Sequence, residues 1–385
     1  MMPAASILTR RTGGMKRRAF GAAERDRSCG RQRSMNTTAT RAESLDRCSP
    51  TAGVVPAARD VSVVLCTYNR AEVLPRALDS LLNQDLDHSR YEVIVVDNNS
   101  NDGTRQIAES FCNRGANVRL VFEREQGLSH ARNTGILTAR APLIAFTDDD
   151  VRVSRDWVST IVRVFADHPE TECLGGKVLP NWPGPWPVWL TREHWAPLAL
   201  VDYGDSAFHV NTGRPLCLIG ANSAYRREVF DRIGMFALPV QAVGREVAVE
   251  DHEFLLRLWR SGGQGYYWPL LTVIADIAPE RMRRRYHRRW HYRHGHFLAV
   301  MRDEDLERSR VGRFLGVPAH LYRQLLGDLV AWLLTLARGR SDRAFAYEIK
   351  LWSHVGFLRT RWPEFFSPWR KARRRGSNTR ATPRS

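Results

Sequence analysis

The sequence lacks a long hydrophobic run, because no window offers about eighteen uncharged apolar residues in succession. A transmembrane helix needs roughly 20 such residues, so none is predicted. The N-terminus also lacks the apolar centre of a secretory signal, and Met15 and Met35 leave open a later start. We therefore expect a cytoplasmic protein.

Cysteine is scarce as well. The 385 residues hold six cysteines, which are widely spaced and form no CxxC pair. This spacing argues against a zinc site. Cys66 and Cys217 stand in apolar stretches, so we expect thiols buried in a core within a reducing compartment.

Aromatic residues are few in residues 1–58, which are rich in Arg, Ser, Thr, Ala and Gly. Such a segment cannot offset the entropy cost of ordering, and we predict that it is disordered and basic. We predict the same for the basic tail, residues 367–385. The formal net charge of +17 favours anionic partners but does not choose among nucleic acid, a phosphorylated substrate and a membrane surface.

Strands and helices alternate from Asp60 onward. Buried-strand runs at 61–66, 91–96, 118–122 and 143–146 are separated by segments with helical spacing of apolar residues. This order specifies right-handed βαβ units and a mixed, mostly parallel sheet with flanking helices, an α/β fold. We assign residues 59–275 to this domain and residues 276–366 to a basic, amphipathic helical region.

Three consecutive carboxylates, Asp148, Asp149 and Asp150, follow the fourth strand. Open α/β sheets bind ligands at the carboxyl ends of their strands, and adjacent carboxylates repel unless a cation or solvent screens them. The pattern favours a divalent metal that holds a phosphorylated ligand, with a polar loop or helix cap as the alternative. Glu250-Asp251 follows later, and alone that pair is typical of a helix N-terminus.

The ends of the first two strands carry further polar groups. The first strand runs into Thr67-Tyr68-Asn69-Arg70, where Tyr68 could stack on a base and Arg70 could meet phosphate. Asp97 ends the second strand and could accept hydrogen bonds from a nucleobase or ribose, while the residues after it form a turn and helix cap.

Arg132 and Asn133 lie near the start of a predicted helix. Free N–H groups and the helix dipole favour anions at that position. Without the preceding strands this segment would be a weak signal.

In their order along the chain, these segments resemble family 2 glycosyltransferases over roughly residues 60–275. The resemblance implies a GT-A fold, a nucleotide-diphosphate sugar donor, a Mg²⁺ or Mn²⁺ ion and inversion at the anomeric carbon. It also implies that the metal neutralises the departing diphosphate and that a carboxylate removes the proton of the acceptor hydroxyl.

The same resemblance implies the residue roles. Asp148 and Asp150 bind the metal, Asp251 is the catalytic base, and Glu250 supports it. The donor-site residues are then Thr67, Tyr68, Asn69, Arg70, Asp97, Asn99, Arg132, Asn133 and Asp149.

The sequence departs from that family in two segments. Many relatives carry a histidine after the last core strand, where this chain reads Val273-Ile274-Ala275-Asp276-Ile277. Tyr286-His287-Arg288-Arg289-Trp290 resembles the QxxRW signature of processive synthases only at its Arg-Trp end. Because the chain also lacks long transmembrane helices, we expect transfer of one sugar per encounter.

Two segments outside the donor motifs admit several interpretations. The Trp- and Pro-rich stretch 175–197 is either a loop pinned by buried aromatics or a wall on which acceptor sugars stack. The arginine-aromatic stretch 281–296 is a nucleic-acid clasp, a solvated basic helix, or a contact for diphosphate or anionic lipid.

Leu321, Leu325, Leu329 and Leu333 fall on one helical stripe. A packed helix and a membrane-surface helix are both compatible with it, and the adjacent basic tail favours an anionic membrane surface. We therefore predict a glycosyltransferase of polysaccharide or glycolipid assembly, peripheral at the inner face of the cell membrane. Its acceptor would be a glycan or a lipid-linked sugar, and nucleic acid is not an expected partner. The alternative is an inactive transferase-like fold that serves as a nucleic-acid-binding or scaffolding protein.

Overall fold

The computed structural model describes residues 59–115, 117–238, 250–301 and 312–377. The predicted N-terminal segment and the end of the predicted tail lie outside these ranges. The strands are β1 (Val61–Thr67), β2 (Tyr91–Asp97), β3 (Val118–Phe122), β4 (Leu143–Asp148), β5 (Val151–Val153), β6 (Cys173–Asn181), β7 (Phe208–Val210), β8 (Ser223–Arg226), β9 (Gly265–Asp276), β10 (Arg313–Phe314) and β11 (Val317–Pro318).

The helices alternate with the strands in the first half of the chain and follow one another in the last part. They are α1 (Leu74–Leu82), α2 (Thr104–Arg114), α3 (Leu128–Thr138), α4 (Trp157–Asp167), α5 (Arg227–Ile233), α6 (Glu250–Arg260), α7 (Arg284–Met301), α8 (Ala319–Ala337) and α9 (Ser341–Ser377). The predicted strands and helices of the catalytic region are all present.

A mixed sheet with strand order β3-β2-β1-β4-β8-β6-β9-β5 forms the centre of the molecule, and β7 pairs with β9. Strands β1, β2, β3, β4, β6 and β9 run in one direction, and β5, β7 and β8 run in the other. The α/β class and the mostly parallel sheet with flanking helices are therefore confirmed.

The core follows from the apolar pattern of the strands and helices. Every residue of β2 is buried, as expected for a central parallel strand covered on both faces. Helix α1 has proline in its first turn and buries Leu74, Leu78 and Leu81, which share one face at helical spacing.

The C-terminal helices pack on one another at very short range. Helices α7 and α9 meet at two glycines, because a Cβ at Gly295 would lie 1.9 Å from the carbonyl oxygen of Ser353, and one at Gly356 equally close to that of Tyr292. Ion pairs Arg284–Asp342 and Arg288–Glu348 join the same helices. Helix α8 packs onto them through a small apolar cluster: Ala299, Val317, Leu321, Phe357 and Leu358.

An aromatic cluster attaches these helices to the sheet domain. Trp189, from the Trp-rich stretch, contacts the rings of His287 on α7 and Phe345 on α9, with centroids 5.0 and 4.8 Å apart. Burial lowers the pKa of His287 to about 4, so the ring stays neutral in this interface. Trp189 therefore acts as a buried aromatic that pins the loop, which is the first of the two interpretations of the stretch 175–197.

The last helix extends beyond its predicted end. The sequence places the end of the helical region at 366, whereas the backbone of α9 continues to Ser377. No helix among the described residues is long and apolar enough to cross a membrane.

Candidate functional site

Strand register brings the predicted site residues to one edge of the sheet. Thr67 at the end of β1 is paired with Asp97 at the end of β2, and Cys66 is paired with Asp148 at the end of β4. Because these strands are parallel, their carboxyl ends open into one crevice, where open α/β sheets bind ligands. The structure thus brings Thr67, Asp97 and the aspartate cluster together.

The loops after β1 and β2 hold one another in place. Asn69, in the left-handed region with φ of 52°, accepts a hydrogen bond from the N–H of Asn101 through its side chain. Its own N–H donates to the hydroxyl of Ser100. Asn99 is also left-handed, with φ of 65°, a conformation that asparagine tolerates better than most residues. These asparagines therefore shape the loops that present Tyr68 and Arg70.

Tyr68 and Arg70 are the exposed members of that pair of loops. Tyr68 is 45% exposed, which leaves its ring open to stacking. The Arg70 guanidinium lies 3.7 Å from the Asp149 carboxylate, and half of its side chain faces solvent. Both side chains are therefore accessible to solvent.

Asp97 holds an unused acceptor. Its Oδ1 accepts the N–H of Ser100 at 3.1 Å, while Oδ2 is buried without a hydrogen-bond partner in the described part of the chain. Buried acceptors are rarely left unpaired, so such an atom at a ligand-binding edge calls for a donor from the ligand. A nucleobase N–H or a ribose hydroxyl has the required chemistry.

The aspartate cluster is electrostatically crowded. Surrounding protein displaces water from Asp148 although 38% of its side chain stays accessible, and this desolvation raises its pKa to about 6. Burial likewise raises the pKa of Asp149 to about 7, and the charge of Asp150 adds to both shifts. A cation at this edge would relieve the repulsion.

The side chains at this edge supply only some of the ligands that a hard divalent ion requires. Among the described residues, no group of three or more His, Cys, Asp or Glu side chains is arranged to hold a metal by itself. Asp148 and Asp150 offer the carboxylate oxygens that Mg²⁺ and Mn²⁺ prefer, and Mg²⁺ sites commonly combine one or two carboxylates with substrate phosphates. The residues therefore fit a metal whose coordination a bound diphosphate completes.

Arg132 connects the aspartate cluster to Asp251, the predicted base. Its guanidinium pairs with Glu250 at 2.9 Å, with Asp251, and with Asp148 at 3.8 Å, and its side chain is 3% exposed. The ring of Phe236 lies 5.3 Å from the guanidinium carbon. Arg132 was predicted as a donor-site residue, and the structure places it inside this carboxylate cluster.

Asp251 is held from two sides. One carboxylate oxygen binds Arg132, and the other accepts the N–H of Gly220 at 2.9 Å. A Cβ at Gly220 would lie 2.4 Å from the Arg132 guanidinium and 2.7 Å from Asp251, so only glycine permits this approach. Glycine at 220 is a site residue that the motif analysis did not identify.

Asn133 has a scaffolding contact. Its side-chain amide donates to the carbonyl of Phe236 at 2.9 Å, and its side-chain oxygen accepts the N–H of the same residue at 3.0 Å. This pair of bonds fixes the segment after α5 against α3. Asn133 was predicted as a donor-site residue, and its polar groups are used within the protein.

Further side chains lie at the carboxyl edge of the sheet, just after the ends of β6 and β9. Arg281 lies 4.0 Å from Asp150 and hydrogen bonds to the Tyr286 hydroxyl at 3.1 Å. The rings of Trp182 and Trp186 are stacked with centroids 5.4 Å apart, just after the end of β6. Both tryptophans were flagged in the sequence, whereas Arg281 was noted only as part of a basic run.

Residues 62–234 match the family model of Glycosyl transferase family 2. This part of the chain is a family 2 glycosyltransferase domain. Glycosyltransferase AglE from Haloferax volcanii is 36% identical over 124 residues, which cover 32% of this chain and 40% of that protein. A glucosyl-dolichyl phosphate glucuronosyltransferase from the same organism is 26% identical over 208 residues, which cover 53% of this chain and 64% of that protein.

The fold of the family 2 domain and its helices matches a solved structure. Mannosyltransferase PcManGT from Pyrobaculum calidifontis, solved in complex with GDP-Man and Mn²⁺, aligns with a TM-score of 0.53 at 19% identity. The alignment covers 85% of this chain and 92% of that one. The GT-A fold predicted from the resemblance is confirmed. The matched part of the chain spans less than two thirds of the length of these curated relatives.

Proposed function

We propose that this protein is an inverting glycosyltransferase that moves a sugar from a nucleotide-diphosphate donor to a glycan or lipid-linked acceptor. The observation that carries the proposal is the crevice at the carboxyl edge of the sheet, where Asp97, Asp148 and Asp150 meet exposed Tyr68 and Arg70. Two comparisons support the substrate classes, since PcManGT, which shares the fold, is bound to GDP-Man and Mn²⁺, and one sequence relative is named for a dolichyl phosphate-linked sugar.

Each side chain has a role in this proposal. Asp97 binds the nucleoside through its unused oxygen, and Tyr68 and Arg70 contact the base and phosphates. Asp148 and Asp150 hold Mg²⁺ or Mn²⁺, which supplies charge neutralisation for the leaving diphosphate. Asp251 accepts the proton of the acceptor hydroxyl through a lone pair that Arg132 and Gly220 leave free, since a carboxylate has about four acceptor positions.

The proposal is tested by titrating the protein with a panel of nucleoside diphosphates, with and without Mn²⁺. We expect saturable binding of one nucleotide that depends on metal. Asp150→Asn should weaken it at least about tenfold, because one metal ligand loses its charge. The matched control is Asp167→Asn, an exposed aspartate at the end of α4.

Absence of metal-dependent binding for every nucleotide would overturn the donor assignment. Strong salt-sensitive affinity for RNA or DNA, unaffected by Asp150→Asn, would instead favour the inactive binding protein. Equal affinities of wild type and Asp150→Asn would remove Asp150 from the metal site.

The outer face of α8 supports association with an anionic membrane surface. Its apolar side chains Leu326, Leu329, Val330, Leu333, Leu334 and Leu336 are 37% to 60% exposed. Exposed Arg323, Arg338 and Arg340 stand beside this face, so charge complementarity selects an anionic lipid surface. We propose the inner face of the membrane for that association, because the cytoplasmic leaflet carries a negative surface potential.

We expect the protein to co-sediment with vesicles that contain phosphatidylglycerol more than with pure phosphatidylcholine vesicles. Leu333→Gln should weaken vesicle binding by about tenfold, because one buried leucine contributes about 1.5 to 3 kcal/mol. Leu137→Gln is the control, since Leu137 is 72% exposed on α3, away from these helices. If Leu333→Gln changes the oligomeric state and leaves vesicle binding intact, the face belongs to a second copy of the chain.

A further inference from the structure

A pair of stacked tryptophans lies at the carboxyl edge of the sheet, just after β6 ends at Asn181. The ring centroids of Trp182 and Trp186 are 5.4 Å apart, and the ring planes are inclined by 24°. Trp182 is partly buried and packs against the core, whereas Trp186 is 53% exposed. We refer to Trp182 and Trp186 as the tryptophan platform.

The segment that carries the platform has little conformational freedom. Its three prolines, Pro183, Pro185 and Pro187, each have a fixed φ angle. Buried Trp189 holds the following residues against α7 and α9, and the N–H of Leu190 donates to the carbonyl of Pro187 at 2.9 Å. An aromatic surface that is already held in place loses little conformational entropy when a ligand binds to it.

Strand register places the platform beside the aspartate cluster. Asp276 of β9 pairs with Asn181 of β6, and the N–H of Asp276 donates to the carbonyl of Asp150 at 2.9 Å. Neighbouring strands lie about 4.8 Å apart, so the backbones of Asn181 and Asp150 are separated by two such spacings, or roughly 10 Å. The platform begins at the next residue, Trp182.

The same strand supports the segment that holds the predicted base. The side chain of Asn222 donates to the carbonyl of Lys177 in β6, and Gly220, in the same short helix, donates its N–H to Asp251. Lys177 lies four residues before Asn181, which corresponds to roughly 13 Å along a strand. A chain of a few sugar rings is therefore long enough to extend from Asp251 to the platform.

Polar groups lie next to this apolar surface. The Asp276 carboxylate accepts hydrogen bonds from Asn181 at 2.8 Å, from Arg152 at 3.1 Å and from Arg76 at 3.4 Å. The side chains of Asn181 and Arg76 are exposed. A carboxylate has about four acceptor positions and a guanidinium has about five N–H donors, so this cluster has the capacity to bind hydroxyl groups as well.

We propose that the tryptophan platform binds a sugar ring of the acceptor, so that the substrate class is an acceptor that already carries more than one sugar. A pyranose ring has a face of C–H groups that packs on the π face of an aromatic ring. Its hydroxyl groups lie around the rim, where Asp276, Asn181 and Arg76 offer donors and acceptors. The assignment rests on the proposed transferase function, and it makes the reaction the extension of an existing glycan.

The two interpretations of the stretch 175–197 then apply to different residues. Trp189 pins the loop, and the platform forms the wall on which acceptor sugars stack. Two other uses of the platform remain as outcomes of the test. Its rings either cover only one another and bind nothing, or they form a contact with a second copy of the chain.

The test is a calorimetric titration of the full chain with cellotriose, maltotriose, chitotriose and α-1,6-mannotriose, and with the corresponding monosaccharides. We expect one trisaccharide to bind saturably and more tightly than its monosaccharide. Trp186→Ala should weaken that binding by about tenfold, whereas Trp186→Phe should keep most of it because a flat ring remains. The control is Trp352→Ala, which removes a tryptophan that is 39% exposed on α9 and should leave the affinity unchanged.

Three results would overturn the proposal. The first is failure of all four trisaccharides to bind, and the second is equal affinity of Trp186→Ala and wild type for the trisaccharide that binds. The third is a change of oligomeric state in Trp186→Ala without any sugar binding, which would assign the platform to a contact between two copies of the chain.

A nucleotide titration in Mn²⁺ separates this proposal from the donor assignment. The affinity for the nucleotide should be the same in Trp186→Ala and wild type, because the platform is not part of the donor site. If nucleotide binding is intact and no trisaccharide binds, the platform proposal alone fails. If trisaccharide binding depends on Trp186 while no nucleotide binds, the platform binds sugar and the failure lies in the donor assignment.

Discussion

Arg132→Met is expected to lower the free energy of unfolding by about 3 to 5 kcal/mol and to abolish transfer. The substitution removes the cation that the buried carboxylates of Glu250 and Asp251 share, so both lose that ion pair. Methionine keeps much of the volume beside Phe236, so the loss reports charge rather than a cavity. Urea unfolding followed by tryptophan fluorescence measures the change in stability.

Arg105→Met is the control for loss of an arginine. Arg105 forms an exposed ion pair with Glu109 on α2, and exposed pairs of this kind contribute about 0.3 to 0.5 kcal/mol. Arg132→Lys should fall between the two, because an ammonium keeps the charge and loses the fork that reaches both carboxylates. If Arg132→Met and Arg105→Met lower the free energy of unfolding by the same amount, the ion pairs of Arg132 do not contribute the stability that their burial implies.

The donor side of the site could be predicted from sequence because its geometry is local. A parallel strand places its last residue at the ligand edge, so Thr67, Asp97 and Asp148 are positioned once β1, β2 and β4 are recognised. The asparagines that follow take left-handed conformations common for that residue in turns. Residues next to a strand end in the chain are therefore next to it in space.

The contacts of Arg132 could not be predicted from its local position in the sequence. Its position near a helix start favours a role with anions of the ligand, and its shortest ion pairs are with Glu250 and Asp251 of this chain, more than a hundred residues away. Such a contact depends on how α3 and α6 pack, which the spacing within either helix does not determine. The same holds for Gly220, whose lack of a side chain matters only because Arg132 and Asp251 approach it.

The C-terminal helices give a second example. The stripe of leucines in α8 predicts an apolar face, and α8 buries Leu321 while Leu329 and Leu333 on the same stripe stay exposed. Leu321 is buried because it packs in the cluster with Ala299, Val317, Phe357 and Leu358, and neither Leu329 nor Leu333 belongs to that cluster. Periodicity predicts that a face is apolar, and only packing decides which part of it remains open.

Asp251→Asn is expected to reduce the rate of sugar transfer by about 10² to 10⁴ and to leave metal-dependent nucleotide affinity unchanged. The amide cannot take the proton of the acceptor hydroxyl, whereas its oxygen can still accept the N–H of Gly220. Single-turnover transfer measures the rate, and nucleotide titration in Mn²⁺ measures the affinity. The pair of measurements separates a base from a metal ligand, since Asp150→Asn should lower both.

Glu250→Gln is the matched comparison, because Glu250 shares Arg132 with Asp251 and is equally buried. Loss of a neighbouring charge should affect the position of Arg132 in both variants, so their common effect reports the ion-pair cluster. The additional loss in Asp251→Asn then reports proton transfer, and it should amount to at least about tenfold. If Glu250→Gln lowers the rate of transfer more than Asp251→Asn does, the two roles are exchanged. The base is the carboxylate whose loss lowers the rate beyond the effect that both variants share.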